Sequence, residues 1–338
     1  MSSLRGGIAG CGFFAQFQLD AWKRIPGVEI VAACDPDLDR ARAAAPRAYA
    51  SAEKMLESEK LDFIDIATRP ETHLELVRLA AAHRSAAICQ KPMAPSYADA
   101  VAMVEASGAA GIRLMIHENW RWQPWYRVVR ARILAGDIGE PVTYCFRIRR
   151  ADGAGAEPYR LQPYFRTMPR LLMYETMIHP VDTARYLFGD IRSVSATARR
   201  RNPAVAGEDV CLMTLTHEDG LSGIADGHRF LDLMTASPPL GDAFFEGDDG
   251  WLQVIASGDV FRDEQLIWRN DVTEGYRGDS VRATQAHFVD CLRTGEAFET
   301  GGRDYLKSYA VVEAAYASAA YGRVVSVEEA PALAARHS

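Results

Sequence analysis

The sequence predicts an α/β chain: an N-terminal doubly wound parallel sheet, then a C-terminal α+β domain built on an open, largely antiparallel sheet. Two observations carry this prediction. In the first third, apolar strand-like runs alternate with helical patterns, as a parallel sheet covered on both faces requires. Further along, strand-like runs mostly follow one another without intervening helices, which is the habit of antiparallel sheets. The 338 residues, 48% hydrophobic and 25% charged, suffice for two separate cores. The boundary falls at Arg121, giving domains over 1–121 and 122–330.

Leu4–Ala9 reads as the first strand. Phe14, Phe17, Ala21 and Ile25 then recur at spacings of three and four, and Pro26-Gly27 breaks that helix. Val28–Cys34 is the second strand. Asp35-Pro36 opens an alanine- and arginine-rich helix, proline being suited to an early helical position. Ser51 caps a short helix. Residues 61–67 form a strand, 71–83 a helix, and 86–89 a strand leading into Lys91; Ser96 caps the next helix and 112–116 is the domain's last strand. In the second domain, strands are expected at 142–150, 191–198, 210–217 and 221–230, with helices at 125–135, 172–187, 282–293 and 303–321. Residues 151–170 mix Gly, Pro, Tyr and Arg with little periodicity, and loops of that length inside a domain are usually functional or disordered; the aromatics favour function. The final residues read as frayed.

Charge and composition exclude several classes. A net charge of -7 offers no basic field for nucleic acid, and no apolar run approaches the length of a bilayer crossing. Met1-Ser2-Ser3-Leu4-Arg5 lacks a secretory signal pattern, so a cytoplasmic location is expected. The six cysteines lack CxxC spacing and lie mostly in apolar stretches, which favours buried thiols over disulfides or zinc.

Gly10-Cys11-Gly12-Phe13-Phe14-Ala15 has the GxGxxA form between a strand and a helix. Such a turn lets backbone approach a pyrophosphate closely and places it on the helix N-terminus. Phe13 and Phe14 belong to the same turn and count as cofactor candidates. Asp35, ending the second strand, can accept hydrogen bonds from both ribose hydroxyls and would repel a 2'-phosphate, which favours NAD over NADP. Thr68, Pro70 and His73 follow the next central strand at its carboxyl end, where open parallel sheets hold ligands. His73 can equally be an exposed residue at a helix start. A lysine after the following strand, Lys91 in Cys89-Gln90-Lys91-Pro92, would face a nicotinamide.

Taken together these motifs resemble the Gfo/Idh/MocA oxidoreductases. The resemblance rests on the glycine turn, Thr68-x-Pro70-x-x-His73, Gln90-Lys91-Pro92, and His179-x-x-Asp182 before Leu187-Phe188-Gly189. Gly136-Asp137-Ile138-Gly139-Glu140-Pro141 and Phe288 to Gly295 are also similar to recurring stretches of that family, so the likeness covers nearly the whole chain. It implies an N-terminal Rossmann domain, a C-terminal domain whose open sheet forms a homodimer or homotetramer, and NAD(P)-dependent oxidation of sugars or polyols. Gln90 stands where the family usually has Glu, Glu175 where it has Asp, and Met177 where it has Gly. At 175 and 177 the departures lengthen or enlarge the side chain. Cys89-Gln90-Lys91-Pro92 followed by residues 117–123 looks like a branch containing D-apiose and related pentose dehydrogenases.

Oxidising a carbinol needs a base near the hydroxyl and a cation for developing alkoxide charge. His179 is the candidate base and Lys91 the candidate cation, though the roles can be exchanged or shared through a relay. Glu175, His179 and Asp182 are spaced by four and three, on one helical stripe, although Pro180 disfavours helical geometry at His179. Glu175 either orients the imidazole, binds a sugar hydroxyl, or is merely a helix-start acid. No metal is expected, since HExxH is absent and no second cluster has ligand spacing. Gln90 and Asn119 join the cofactor candidates. Asn119, Arg121, Trp122, Tyr159, Gln162, Tyr164 and Arg166 are substrate candidates, because amides, guanidinium forks and flat aromatic surfaces hold polyhydroxylated ligands. Arg160, Arg166 and Arg170 leave an acidic sugar open. The expected function is an NAD-dependent sugar or polyol dehydrogenase. Two rivals stand beside it: an NAD-retaining glycosidase or isomerase using transient oxidation, and a non-catalytic NAD-binding regulator.

Overall fold

A computed structural model describes residues 3–233 and 241–334. The chain divides into two compact units. The first comprises 1–119 and 279–306, the second 120–278 and 307 onward.

In the first unit, strands and helices alternate: β1 (Leu4–Ala9), α1 (Ala15–Lys23), β2 (Val28–Cys34), α2 (Leu38–Ala44), β3 (Arg47–Tyr49), α3 (Ala52–Ser58), β4 (Phe63–Ile66), α4 (His73–Ala82), β5 (Ala86–Gln90), α5 (Tyr97–Ala110) and β6 (Leu114–His117). All six strands are parallel, in the order β3-β2-β1-β4-β5-β6. The chain reverses direction in the sheet beside β1, so the carboxyl ends of β1 and β4 flank a topological switch point. Side-chain caps start the helices as expected: the Ser51 hydroxyl accepts from Lys54 N–H and that of Ser96 from Asp99 N–H. β3 was not foreseen, because its three residues Arg47–Tyr49 are too short to show a period.

The second unit carries α6 (Pro124–Leu134), β7 (Pro141–Arg149), α7 (Ile178–Phe188), β8 (Ile191–Arg199), β9 (Val210–His217), β10 (Ser222–His228), β11 (Gly241–Gly247), β12 (Gly250–Val254), β13 (Val260–Arg262) and β14 (Gln265–Trp268). After α8 (Ser280–Thr294) in the first unit comes α9 (Gly302–Tyr321), and the chain adds β15 (Val325–Ser326). Among the described residues the sheet has nine strands, β14-β13-β12-β11-β7-β10-β9-β8-β15, all antiparallel neighbours except the parallel β7–β10 pair. Its core packs Tyr126, Phe146, Val181, Met213, Phe245 and Val311. Residues 151–170, expected to be a functional loop, carry two short 3-10 turns, Ala151–Gly153 and Pro163–Thr167, beside a small cluster of Tyr159, Phe165, Leu171 and Val205.

The helix expected over 172–187 is interrupted. A π-helical turn spans Leu172–Thr176 and α7 begins at Ile178, so Pro180 sits in a first turn where its missing N–H leaves no bond unmade. Dividing the chain at 121 also leaves out the return of α8, whose Phe288 and Val289 pack with Trp22, Phe63 and Ile88 of the first unit. Among the described residues no helix is long and apolar enough to cross a membrane. Expected fraying at the C-terminus falls partly on 335–338, outside the described residues.

Candidate active site

The first unit supplies a dinucleotide cradle. Gly10 has φ +88, and a Cβ there would lie 2.9 Å from Thr68 N and 3.0 Å from the Ala67 carbonyl carbon, so only glycine lets the turn lie against the chain leaving β4. A Cβ on Gly12 would meet nothing within 4 Å, which leaves that backbone open to a ligand. Phe14 is the N-cap of α1 without a side-chain cap, and Phe13 is exposed. The Asp35 carboxylate accepts from Cys11 N–H at 2.8 Å and Asp37 N–H at 2.9 Å. Those two bonds fix it beside the glycine turn. A glycine turn opening a helix and a tethered carboxylate at the end of the next strand fit the pyrophosphate and ribose of NAD. Gly10, Gly12 and Asp35 are the residues that would hold them.

His73 is fully buried, with Nδ1 3.1 Å from the Met93 carbonyl and Nε2 3.1 Å from that of Thr68. Burial lowers its pKa. It ties together the chain segments that leave β4 and β5, and its side chain is not at a helix surface. Pro70 starts a 3-10 turn ahead of α4, and the Thr68 hydroxyl accepts from that of Thr72 at 2.7 Å. Lys91 follows β5 directly; its N–H donates to Gln90 Oε1 at 2.8 Å, so Gln90 shapes the backbone that presents the lysine. Gln90 pairs in register with His117 of β6, whose imidazole burial pushes down to about 4. The Asn119 amide donates to the Ser280 hydroxyl at 3.0 Å and is itself buried.

The second unit holds the proton-handling candidates. Glu208 accepts from Met173 N–H at 2.9 Å and from the Leu171 N–H, capping the π turn that carries Glu175. Glu175 Oε2 accepts from the Thr176 hydroxyl at 2.7 Å and lies 3.9 Å from Arg229, whose fork otherwise holds Asp152. One turn later, the His179 ring stacks on Trp120 with centroids 4.8 Å apart and planes 6° from parallel. His179 remains 6% exposed. Asp182, completely buried, takes both prongs of Arg121 at 2.7 Å and the Ser308 hydroxyl at 2.9 Å. Arg121 and Asp182 are thus engaged with one another.

The remaining substrate candidates scatter. Arg127 lies 3.6 Å over the Trp122 ring. Tyr159 is buried with φ +55, the Tyr164 hydroxyl accepts from Gln162 at 3.1 Å, and Arg166 donates to the Pro158 carbonyl at 2.7 Å. Gln162, Tyr164 and Arg166 are thus engaged within the 151–170 segment. Sequence reasoning passed over Trp120, Glu208 and Arg229. Each acts on a partner far away in the chain, and only Trp120, beside Arg121, stood in a stretch already singled out. Among the described residues no cluster of three or more His, Cys, Asp or Glu side chains could hold a metal ion.

Comparisons with known proteins agree with this arrangement. Residues 4–118 match the family model for the Gfo/Idh/MocA oxidoreductases with an NAD-binding Rossmann fold, and 126–233 match the model for their C-terminal domain. A D-apiose dehydrogenase of Paraburkholderia graminis is 40% identical, over 99% of this chain and 93% of its own. Another, from Rhizobium rhizogenes, is 37% identical over 97% and 98%. An Agrobacterium radiobacter oxidoreductase, solved with NAD+, L-tartaric acid and magnesium, is 35% identical with a TM-score of 0.88, covering 97% of this chain and 99% of that one. The chain therefore belongs to the Gfo/Idh/MocA family of NAD-binding oxidoreductases.

Proposed function

We propose that the protein is an NAD-dependent dehydrogenase that oxidises a hydroxyl of a sugar, polyol or sugar acid, with D-apiose or a related pentose as first candidate. The observation that carries this reading is the position of Lys91: it leaves β5 at the carboxyl edge of the sheet that also presents the Gly10 turn and Asp35. That edge is where an open parallel sheet holds its ligand. The similarity to two D-apiose dehydrogenases supports the substrate class.

NAD, when bound, supplies the hydride acceptor. The side chains do the rest. Asp35 selects a ribose without a 2'-phosphate. Lys91 anchors the reacting hydroxyl and stabilises negative charge developing on its oxygen. His179 takes the hydroxyl proton, and Glu175, on the preceding turn, favours the imidazolium that results. The exposed sheet face, where Leu212 of β9 and Ile224 of β10 stand 47% and 41% exposed, supports a homodimer or homotetramer, and we place the enzyme in the cytoplasm. The test is a panel of D-apiose, other aldoses, polyols and sugar acids with NAD+, read as reduced nicotinamide by absorbance. Net reduction with one class identifies the substrate. Conversion of a sugar without net reduction overturns the dehydrogenase reading.

A further inference from the structure

We infer that Trp120 is a positioning residue for His179, holding the plane of its imidazole and supporting the charge that ring acquires. The inference rests on the proposed role of His179 as base. Its geometric basis is a three-ring stack. Trp120 stacks with His179, at 4.8 Å and 6°, and with Tyr126, at 6.3 Å and 21°. Tyr126 in turn meets Trp125 and Phe146 edge-on, at 6.3 Å and 5.9 Å. All four supporting rings are buried to 2% exposure or less. The indole is therefore braced by buried rings.

The neighbouring residue secures the same segment. Arg121 grips Asp182 with both prongs, and Asp182 stands three residues after His179 on α7. Ser308 donates to the same carboxylate while accepting from Arg185, so the grip is closed on every side. Two consecutive residues thus touch α7 at two points nearly one turn apart, one through a ring and one through an ion pair.

This arrangement has a chemical consequence. A flat partner on one face restricts rotation about the His179 Cβ–Cγ bond, so its ring nitrogens project in the fixed plane parallel to the indole. When His179 takes a proton it becomes a cation lying over the indole face, and tryptophan provides the strongest such face among side chains. The attraction is greater for the protonated ring than for the neutral one. It therefore assists a state formed during turnover and not the binding of substrate.

A double-mutant cycle tests the inference. Trp120→Leu, checked for wild-type thermal unfolding, is expected to lower kcat by about 10- to 100-fold, with the KM values for NAD+ and sugar changing less than about threefold. In a His179→Ala background the same substitution should change kcat less than about twofold, because its effect passes through the imidazole. Trp120→Phe, which keeps a ring, should restore most of the activity. If Trp120→Leu does not fold, Trp120→Met fills more of the volume without a ring face and carries the same cycle. Additive losses, or wild-type kcat in the ring-less variant, overturn the role of Trp120 while leaving His179 as base. Turnover within about threefold of wild type in His179→Ala overturns the reading beneath it.

Discussion

Lys91 shows how far a single residue can be read from its place in the chain. An apolar strand ending in a lysine, downstream of a glycine turn and an acid, was legible because each feature is local and their order is the order of a parallel sheet. Replacing Lys91 with Met removes the charge and keeps the length. We expect kcat/KM to fall by about 10²-fold or more; a loss within about threefold in steady-state assays would falsify the assignment. The Asp35 carboxylate, held by Cys11 and Asp37 N–H groups, makes a second prediction. Asp35→Ser together with Pro36→Arg removes the repulsion of a 2'-phosphate and supplies a guanidinium for it, shifting preference toward NADP+. Unchanged selectivity in paired measurements with both cofactors would sink the ribose role. Trp120, by contrast, was illegible: an indole beside an arginine looks like any core aromatic until folding lays it on His179.

Elements were legible where their period was long enough to see. The parallel strands and the helices of the first unit appear close to where the pattern puts them, and β9 matches its expected span of 210–217. β11 to β14 were missed because three to seven residues punctuated by Gly and Asp carry little alternation, and β15 has only two residues. Spacing puts Glu175, His179 and Asp182 on one helical stripe, yet a π turn rather than a regular helix carries Glu175. Glu208 accepts from Met173 N–H in that turn, a contact that could not be read locally. On β4, Asp65 is wholly buried and accepts from Gln18 at 2.8 Å and Trp22 at 2.7 Å, both neutral donors. Burial raises its pKa from 3.8 to about 7. The folded state thus holds this proton more tightly than the unfolded chain. Its contribution to stability is complete below the unfolded value near 3.8 and is lost as pH rises through about 7. Relative to Asp65→Asn, the wild type should lose unfolding free energy across that window, with a limiting slope of about 1.4 kcal/mol per pH unit. Denaturant unfolding at several pH values measures it, and a flat difference rules the linkage out.

At the scale of the whole molecule, the chain returns to its first unit late. A parallel sheet with alternating helices was visible in the first third, but periodicity cannot show that α8 completes its core. Phe288 stacks near Phe298 and meets Trp22 and Phe63 edge-on, and the cluster also takes in Ile88 and Met115. Past α8, the Thr300 carbonyl accepts from Ile116 N–H at 2.8 Å and its hydroxyl donates to the Ile116 carbonyl at 2.6 Å, which covers the open edge of β6. Arg24 adds a fork to Asp279, at 2.6 Å and 2.8 Å. A fragment of residues 1–119 therefore lacks one wall of its core and the partner of one sheet edge. Losing a buried phenylalanine alone costs about 3–5 kcal/mol, a large part of a domain's ordinary stability of about 5–15 kcal/mol. The 1–119 fragment should unfold without a cooperative transition, or at a far lower temperature than the same fragment joined through a flexible linker to 279–306. Circular dichroism melts of the two fragments decide the matter: equal transitions would show that the returning segment contributes nothing to the fold of the first unit.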